Sequence, residues 1–287
     1  MANFIISAFA DEAADSLEAQ IAACKANKIS FIEMRNVNGK TIMNATDEEL
    51  SEIKKQLDAN GMRLSALGSS CGKSVITEDF STQLDKFKRA IEIAHKLETR
   101  YIRMFSFHTQ KGEESTIMNY RDEVMDRLSQ VLQVTKGSGI TLCHENEKHI
   151  YGDTAERCRD IYDTFSGEIK LVMDAANFIQ CDENVLNAYK LLEDGIEYLH
   201  IKDADANKRV VPAGEGIGQL DKVIELFSRK DGDRYLSLEP HLKKFIGPDA
   251  LYPTKEDAFN AATGCLKKLL IKQGFKEDVK WIKSDLE

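Results

Sequence analysis

Eight short apolar or β-branched runs alternate with eight amphipathic segments along this 287-residue chain, and that alternation restricts the fold more than anything else in the sequence. The runs are NFIISAF (3–9), SFIEMR (30–35), RLSALG (63–68), RYIRMF (100–105), ITLCHE (140–145), IKLVMD (169–174), EYLHIK (197–202) and RYLSLE (234–239). Runs this short are read as strands rather than helices. Between them, segments such as DSLEAQIAACKAN and QLDKFKRAIEIAHKL place an apolar residue at every third or fourth position, the pattern of a helix lying on a sheet. Thr46 followed three residues later by Glu49 predicts a capping box. Strand–helix alternation implies a parallel sheet with right-handed crossovers. Eight such units predict a closed (β/α)8 TIM barrel, a single domain over 1–273. A doubly wound open sheet is the alternative, but no G-x-G-x-x-G turn follows the first run.

The connections point the same way. Those leading from helix to strand are short and carry Gly61, Gly137, Gly139, Gly167, Gly195 or Gly232, predicted as helix C-caps. Those leading from strand to helix include three long ones, 106–118, 203–219 and 240–253. In α/β barrels that side carries the site. The glycine-rich PAGEG (212–216) either approaches a ligand or turns the chain. Residues 274–287 form a C-terminal extension whose Val279, Trp281 and Ile282 are expected to pack on the barrel or on a partner chain.

Charge and cysteine content restrict the partners. A formal net charge of −9 argues against nucleic acid, which needs a basic surface. A small anion in a locally basic pocket remains compatible with it. Six cysteines without a C-x-x-C pair fit a reducing, cytoplasmic setting. The N-terminal MANFIISAFADE lacks a basic n-region and is not expected to be a signal peptide. No apolar window is long enough for a membrane span.

The titratable residues gather at the ends of the last four runs: Glu145, Asp174 and Glu239 close runs five, six and eight, and His200 lies in run seven. Singly, a strand-end carboxylate commonly caps a helix, and a histidine inside YLHIK is commonly a core residue. On adjacent strands of one barrel, the carboxylates would repel unless a positive charge sat among them. One divalent metal ion meets that need. Three carboxylates with one imidazole suit Mn²⁺, Mg²⁺ or Co²⁺, with Zn²⁺ less favoured by so oxygen-rich a set.

LCHE (Glu145), LVMDAAN (Asp174), LHIKD (His200) and LSLEPH (Glu239), in this order, resemble the xylose isomerase-like TIM-barrel superfamily of sugar and sugar-phosphate isomerases and epimerases, over nearly all of residues 3–270. The resemblance implies that Glu145, Asp174, His200 and Glu239 bind one divalent ion. It also implies that Glu145 and Glu239 act as acid and base on a sugar held at the metal, through a metal-stabilised ene-diolate. The ketose 3-epimerases of that superfamily commonly carry a second histidine three residues after the strand-six aspartate. Here Asn177 stands there, able to hydrogen-bond a hydroxyl but not to titrate.

Basic residues share the expected rim: Arg35, Lys73, Arg103, Lys148 and Lys202. They either balance the carboxylates or grip a phosphate or carboxylate of the substrate. With Asn177 and His241 they form the expected substrate-binding set. Glu33 is expected in a structural ion pair with Arg35, and His144 is expected to point away from the site. The leading reading is thus a metal-dependent isomerase or epimerase of a small sugar, sugar phosphate or sugar acid. A lyase or dehydratase acting on an oxidised sugar or glycoside by the same enolate chemistry is the alternative. An abasic-site endonuclease and a non-catalytic sugar-binding protein rank lower. The resemblance is compatible with a homo-oligomer.

Overall fold

The computed structural model describes residues 1–247, 250–278 and 280–283. At its centre eight parallel strands close into a barrel. They are β1 (Ala2–Ala8), β2 (Phe31–Met34), β3 (Arg63–Gly68), β4 (Tyr101–Met104), β5 (Thr141–Glu145), β6 (Lys170–Asp174), β7 (Ile196–Ile201) and β8 (Gly232–Leu238). Each predicted run overlaps its strand, with ends displaced by no more than about two residues, the usual scatter of such boundaries. Around them lie α1 (Leu17–Ala26), α2 (Asp47–Ala59), α3 (Ser81–Lys96), α4 (Arg121–Thr135), α5 (Ala155–Thr164), α6 (Ala175–Gln180), α7 (Val185–Leu192), α8 (Leu220–Phe227) and α9 (Lys255–Lys272). Thr46 and Glu49 form the predicted capping box at α2. Among the described residues, no helix is long and apolar enough to cross a membrane.

One feature of the helix ends departs from expectation. Gly61, Gly137, Gly139, Gly167 and Gly232 have the positive φ of a left-handed turn, but Gly195 does not. It is small for a packing reason: a Cβ there would lie 2.7 Å from the Tyr162 ring.

The barrel closes unevenly. β1 pairs with β8 along its whole length, Ala2 with Gly232 through Ala8 with Leu238. On its other side it meets β2 only at Ser7 and Ala8. The open stretch of β1 is covered by Trp281: the Phe4 amide donates to the Trp281 carbonyl (3.0 Å), and the Trp281 amide donates to the Phe4 carbonyl (2.8 Å). The Trp281 side chain is buried, and burying an aromatic of this size typically contributes about 1.5–3 kcal/mol or more. Ile282 is exposed, and Val279 lies outside the described residues.

Inside the barrel, Ala66, Tyr101, Cys143, Val172 and Tyr198 form an apolar layer, with Tyr235 against it. Because strand side chains alternate, the next inward residues toward the strands' C-terminal ends are Arg103, Glu145, Asp174 and His200. The packed layer therefore serves as the floor beneath the polar end of the barrel.

The loop after β7 is held by a single carboxylate. Asp203, fully buried, accepts from the amides of Ala204 (2.8 Å), Gly214 (3.0 Å), Gly216 (3.2 Å) and Gly218 (3.0 Å). The PAGEG turn thus turns inward onto Asp203. Its Gly216 cannot carry a side chain, since a Cβ would lie 2.3 Å from the Ala204 carbonyl. Asp203→Ala is expected to cost this loop about 2 kcal/mol of local stability. Amide hydrogen exchange at Gly214, Gly216 and Gly218 would speed up roughly thirty-fold. Unchanged exchange would show that the turn holds itself.

Candidate metal centre

Glu145 and Asp174 are the last residues of β5 and β6, His200 is the penultimate residue of β7, and Glu239 follows β8 directly. All four are buried, and one ligand atom from each lies within 4.8 Å of the others. Local structure fixes the first two. Asp174 doubles as the N-cap of α6, its Oδ1 accepting the Asn177 amide (2.9 Å). Asn146 ties β5 to β6: its side-chain amide donates to the Asp174 carbonyl (2.9 Å), and its Oδ1 accepts the Asp174 amide (2.8 Å).

His200 is held from behind. Its Nε2 lies 3.2 Å from both oxygens of Glu33, a fully buried residue of β2 that also accepts from the Tyr198 hydroxyl at 3.0 Å. A carboxylate can only accept, so Nε2 carries the proton. The other ring nitrogen, Nδ1, faces Glu145 Oε1 (3.1 Å) and Glu239 Oε2 (3.5 Å), and is buried without a hydrogen-bond partner. An imidazole backed by a carboxylate, with its free nitrogen turned toward other carboxylates, is the arrangement of a metal-binding histidine. Glu33 was expected in an ion pair with Arg35; the structure gives it to His200 and Tyr198 instead. His144 points away as expected, its Nε2 2.9 Å from Ser106 Oγ.

The rim cations do not wait for a ligand. The Arg103 guanidinium, buried, donates to Glu145 Oε2 at 2.7 Å and lies over the Phe105 ring. Lys202, also buried, lies 2.8 Å from Asp174 Oδ2 and 3.1 Å from Glu239 Oε2. Arg35 reaches Glu239 Oε1 (3.0 Å), Asp11 Oδ2 (3.0 Å) and Glu12 Oε1 (3.4 Å). Lys73 pairs with Glu147 (3.0 Å) over the Phe105 ring, and Lys148 donates to Gln180 Oε1 (2.8 Å). His241 sits 3.1 Å from Glu12 and 3.3 Å from Glu239. Asn177 points its amide at Glu145 Oε1 (3.2 Å) and the Asn146 carbonyl (2.9 Å) rather than at open space. Repulsion among the carboxylates is therefore relieved in part by the chain's own cations. The case for an ion rests on His200 Nδ1 and the donor set.

These contacts set the charges. Burial alone would raise Glu145, but His200 and Arg103 outweigh it and hold it below the ordinary carboxylate range, against repulsion from Glu239. Burial likewise would raise Glu239, but Lys202 and His241 draw it well below. Asp174 goes the other way, pushed up to about 6 by burial despite Lys202. Glu145 and Glu33 outweigh burial at His200 and raise it well above the usual imidazole value, so a proton on Nδ1 and a cation compete for the same place among the carboxylates. Glu12, Glu239 and His241 also lie close together, but Arg35 already bridges the two glutamates. That second group is a charge network rather than a cation site.

The family model described as Xylose isomerase-like TIM barrel matches residues 21–269. No curated protein matches the sequence. Among solved structures, the chain is similar to the probable 3-DHS dehydratase AsbF, involved in petrobactin synthesis, from Bacillus anthracis. The identity is 15%, over 93% of this chain and 99% of that one, with a TM-score of 0.71. It is similar to a D-tagatose 3-epimerase-like protein at 15% identity over 94% and 97% of the two chains, with a TM-score of 0.71. It is also similar to the IOLI protein, solved with a binding zinc atom, at 17% identity over 94% and 98%, with a TM-score of 0.70. Likeness at this level shows a shared fold.

Proposed function

Because this chain belongs to the xylose isomerase-like TIM-barrel family, we propose that it is a divalent-metal-dependent isomerase or epimerase of a small sugar, with Glu145 and Glu239 as its proton-transfer groups. The observation that carries this reading is the placement of these two buried carboxylates together beside His200 Nδ1, at 3.1 and 3.5 Å. Glu145, Asp174, His200 and Glu239 would hold Mn²⁺, Mg²⁺, Co²⁺ or Zn²⁺. That ion would supply Lewis-acid stabilisation of negative charge developing on the substrate oxygens. The zinc of the IOLI protein supports a metal in this fold without naming this chain's ion.

The chain's own residues supply the proton chemistry. Glu145 and Glu239 are both held ionised, so either can take a proton from a carbon beside a carbonyl. Aldose–ketose isomerisation runs on one of them, which returns a proton to the neighbouring carbon. Epimerisation at a single carbon needs both, one for each face. Arg103 and Asn177 fix Glu145, while Arg35 and Lys202 fix Glu239, so neither carboxylate must find its position during the reaction.

A dehydratase among the similar structures favours one second reading: a lyase acting on an oxidised sugar through the same proton abstraction. A solvent-deuterium exchange screen of ketoses, sugar acids and sugar phosphates with added divalent metals tests both. Exchange at a carbon beside the carbonyl without loss of the sugar supports the isomerase. Exchange with net elimination supports the lyase. No exchange with any metal removes both.

The metal reading has its own test in Glu33. Removing a carboxylate that orients a ligating histidine typically weakens metal binding 10–100-fold. Glu33→Gln is expected to weaken Mn²⁺ binding by about this amount. Competition against a chelator measures it without reference to activity, and an unchanged affinity would mean that His200 is not a ligand.

A further inference from the structure

At the N-terminal ends of the strands, away from the carboxylates, the barrel holds a cavity of about 690 Å³. Its origin is the uneven closure. β1 meets β2 only at Ser7 and Ala8, and Ile5 and Phe31 line the space left before that contact. Its size falls in the range of small-molecule sites, roughly 300–1,000 Å³. Three aromatic rings form part of its wall. The Phe31 and Tyr235 centroids lie 5.4 Å apart, and Tyr101 meets Tyr235 edge-on at 6.3 Å. Tyr101 also belongs to the apolar layer inside the barrel, which stands between this cavity and the candidate metal centre.

The charges around the cavity do not cancel. Of its two lining acids, Asp233 is taken by Lys280 (2.5 Å) and Glu98 by Lys54 (3.0 Å). Glu197 close by accepts from the Tyr101 hydroxyl (2.5 Å) and from Arg234 (3.1 Å). Arg63 and Arg100 also line the cavity, and neither has a carboxylate partner among the described residues. Arg100 lies over the Tyr101 ring, 4.7 Å from its centroid, and donates to its hydroxyl. Both guanidinium groups act on Tyr235: burial raises its hydroxyl, Arg100 lowers it, Asp233 raises it and Arg63 lowers it. That hydroxyl has no hydrogen-bond partner among the described residues, and its ring lines the cavity. In a chain of net charge −9, two unclaimed guanidinium groups and a phenol donor thus stand beside aromatic walls.

We infer that this cavity is a second binding site, for a small aromatic anion: a carboxylate or phosphate carried on a flat ring system. The anion would pair with Arg63 and Arg100, whose planar forks match two oxygens at once, and accept from Tyr235. The ring would pack on Phe31, Tyr101 and Tyr235. Both arginines are exposed, so water screens each of them and the anion alone gains little. Affinity therefore needs ring and charge together. None of these residues belongs to the metal centre, so the inference is independent of the sugar reading.

Titration calorimetry of the intact protein would compare naphthoate, adenosine monophosphate, naphthamide and inorganic phosphate. A chelator in every sample keeps the probes off any bound metal. Naphthoate, adenosine monophosphate or both are expected to bind at least about tenfold more tightly than naphthamide or phosphate, and more weakly as salt rises. Whichever ring-bearing anion binds more tightly names the head group, and either supports the inference. Arg63→Gln and Arg100→Gln are each expected to weaken that binding about fivefold or more, and Tyr235→Phe, which keeps the ring, about threefold. Equal binding of naphthamide or of phosphate, or binding of none of the four, would overturn the inference. So would a ring-bearing anion whose affinity both arginine variants leave unchanged, because it would then sit elsewhere.

Discussion

Glu239→Gln is expected to lower exchange of the substrate's carbon-bound proton with solvent by about 10³-fold, within the range that positioned acid–base groups contribute. The amide keeps the size of the carboxylate and can accept a hydrogen bond from Arg35 or Lys202, but it cannot take a proton at neutral pH. Its charge is also part of the ion's proposed cage, so metal content must be measured on the same sample. A variant that still holds metal yet has lost exchange assigns the loss to proton transfer. A variant that holds metal and exchanges at the parent rate removes Glu239 from the mechanism. Glu145→Gln distinguishes the two sugar reactions. If the reaction is an epimerisation, both variants block turnover. If it is an isomerisation using one base, one variant retains far more exchange than the other.

Arg103→Met should be the most damaging single change to stability at this end of the barrel. The pair it breaks is buried on both sides, with Arg103 donating to Glu145 at 2.7 Å. Methionine fills much of the space and leaves Glu145 ionised without its guanidinium. Breaking a buried pair in this way typically costs about 3–5 kcal/mol. Urea denaturation at neutral pH reads the loss directly. The sign of its pH dependence follows from Glu145, whose folded value is held below the ordinary carboxylate range by His200 and Arg103 against its burial. In the parent protein that contribution is present above the unfolded carboxylate value and is lost as pH falls through the lower folded one. In the variant, protonation of Glu145 removes the stranded charge, so the deficit should shrink on acidification. A deficit under about 1 kcal/mol at neutral pH would mean that Asn177 and His200 suffice to hold Glu145.

The barrel strands were readable because each is a compact β-branched or aromatic run between helices with one apolar stripe. The helix α6 was not, because its six residues follow the strand without a connecting loop and Asp174, the strand's last residue, is also the helix N-cap. The strand-end rule was enough to gather Glu145, Asp174, His200 and Glu239. It could not supply Glu33, whose partner His200 lies 167 residues away and becomes a neighbour only when the barrel closes. The one signal was parity: a glutamate flanked by Ile32 and Met34 in a strand whose end carries Arg35. Even that was blurred by the register shift between Ile32 and Glu33. Charge signs along the rim were legible, but partners were not. Arg103 and Lys202 look like anion contacts in a linear sequence and turn out to be buried counter-ions.

Trp281 gives the C-terminal extension a second consequence. Where β2 starts late, β1 would present the amide and carbonyl of Phe4 without a neighbouring strand, and Trp281 fills that gap. Unpaired strand backbone of this kind is a template on which foreign chains add themselves. The extension is therefore a guard against sticky self-association. A protein shortened before Phe275 should show its defect first as concentration-dependent clumping, before any change at the carboxylates on the opposite end of the barrel.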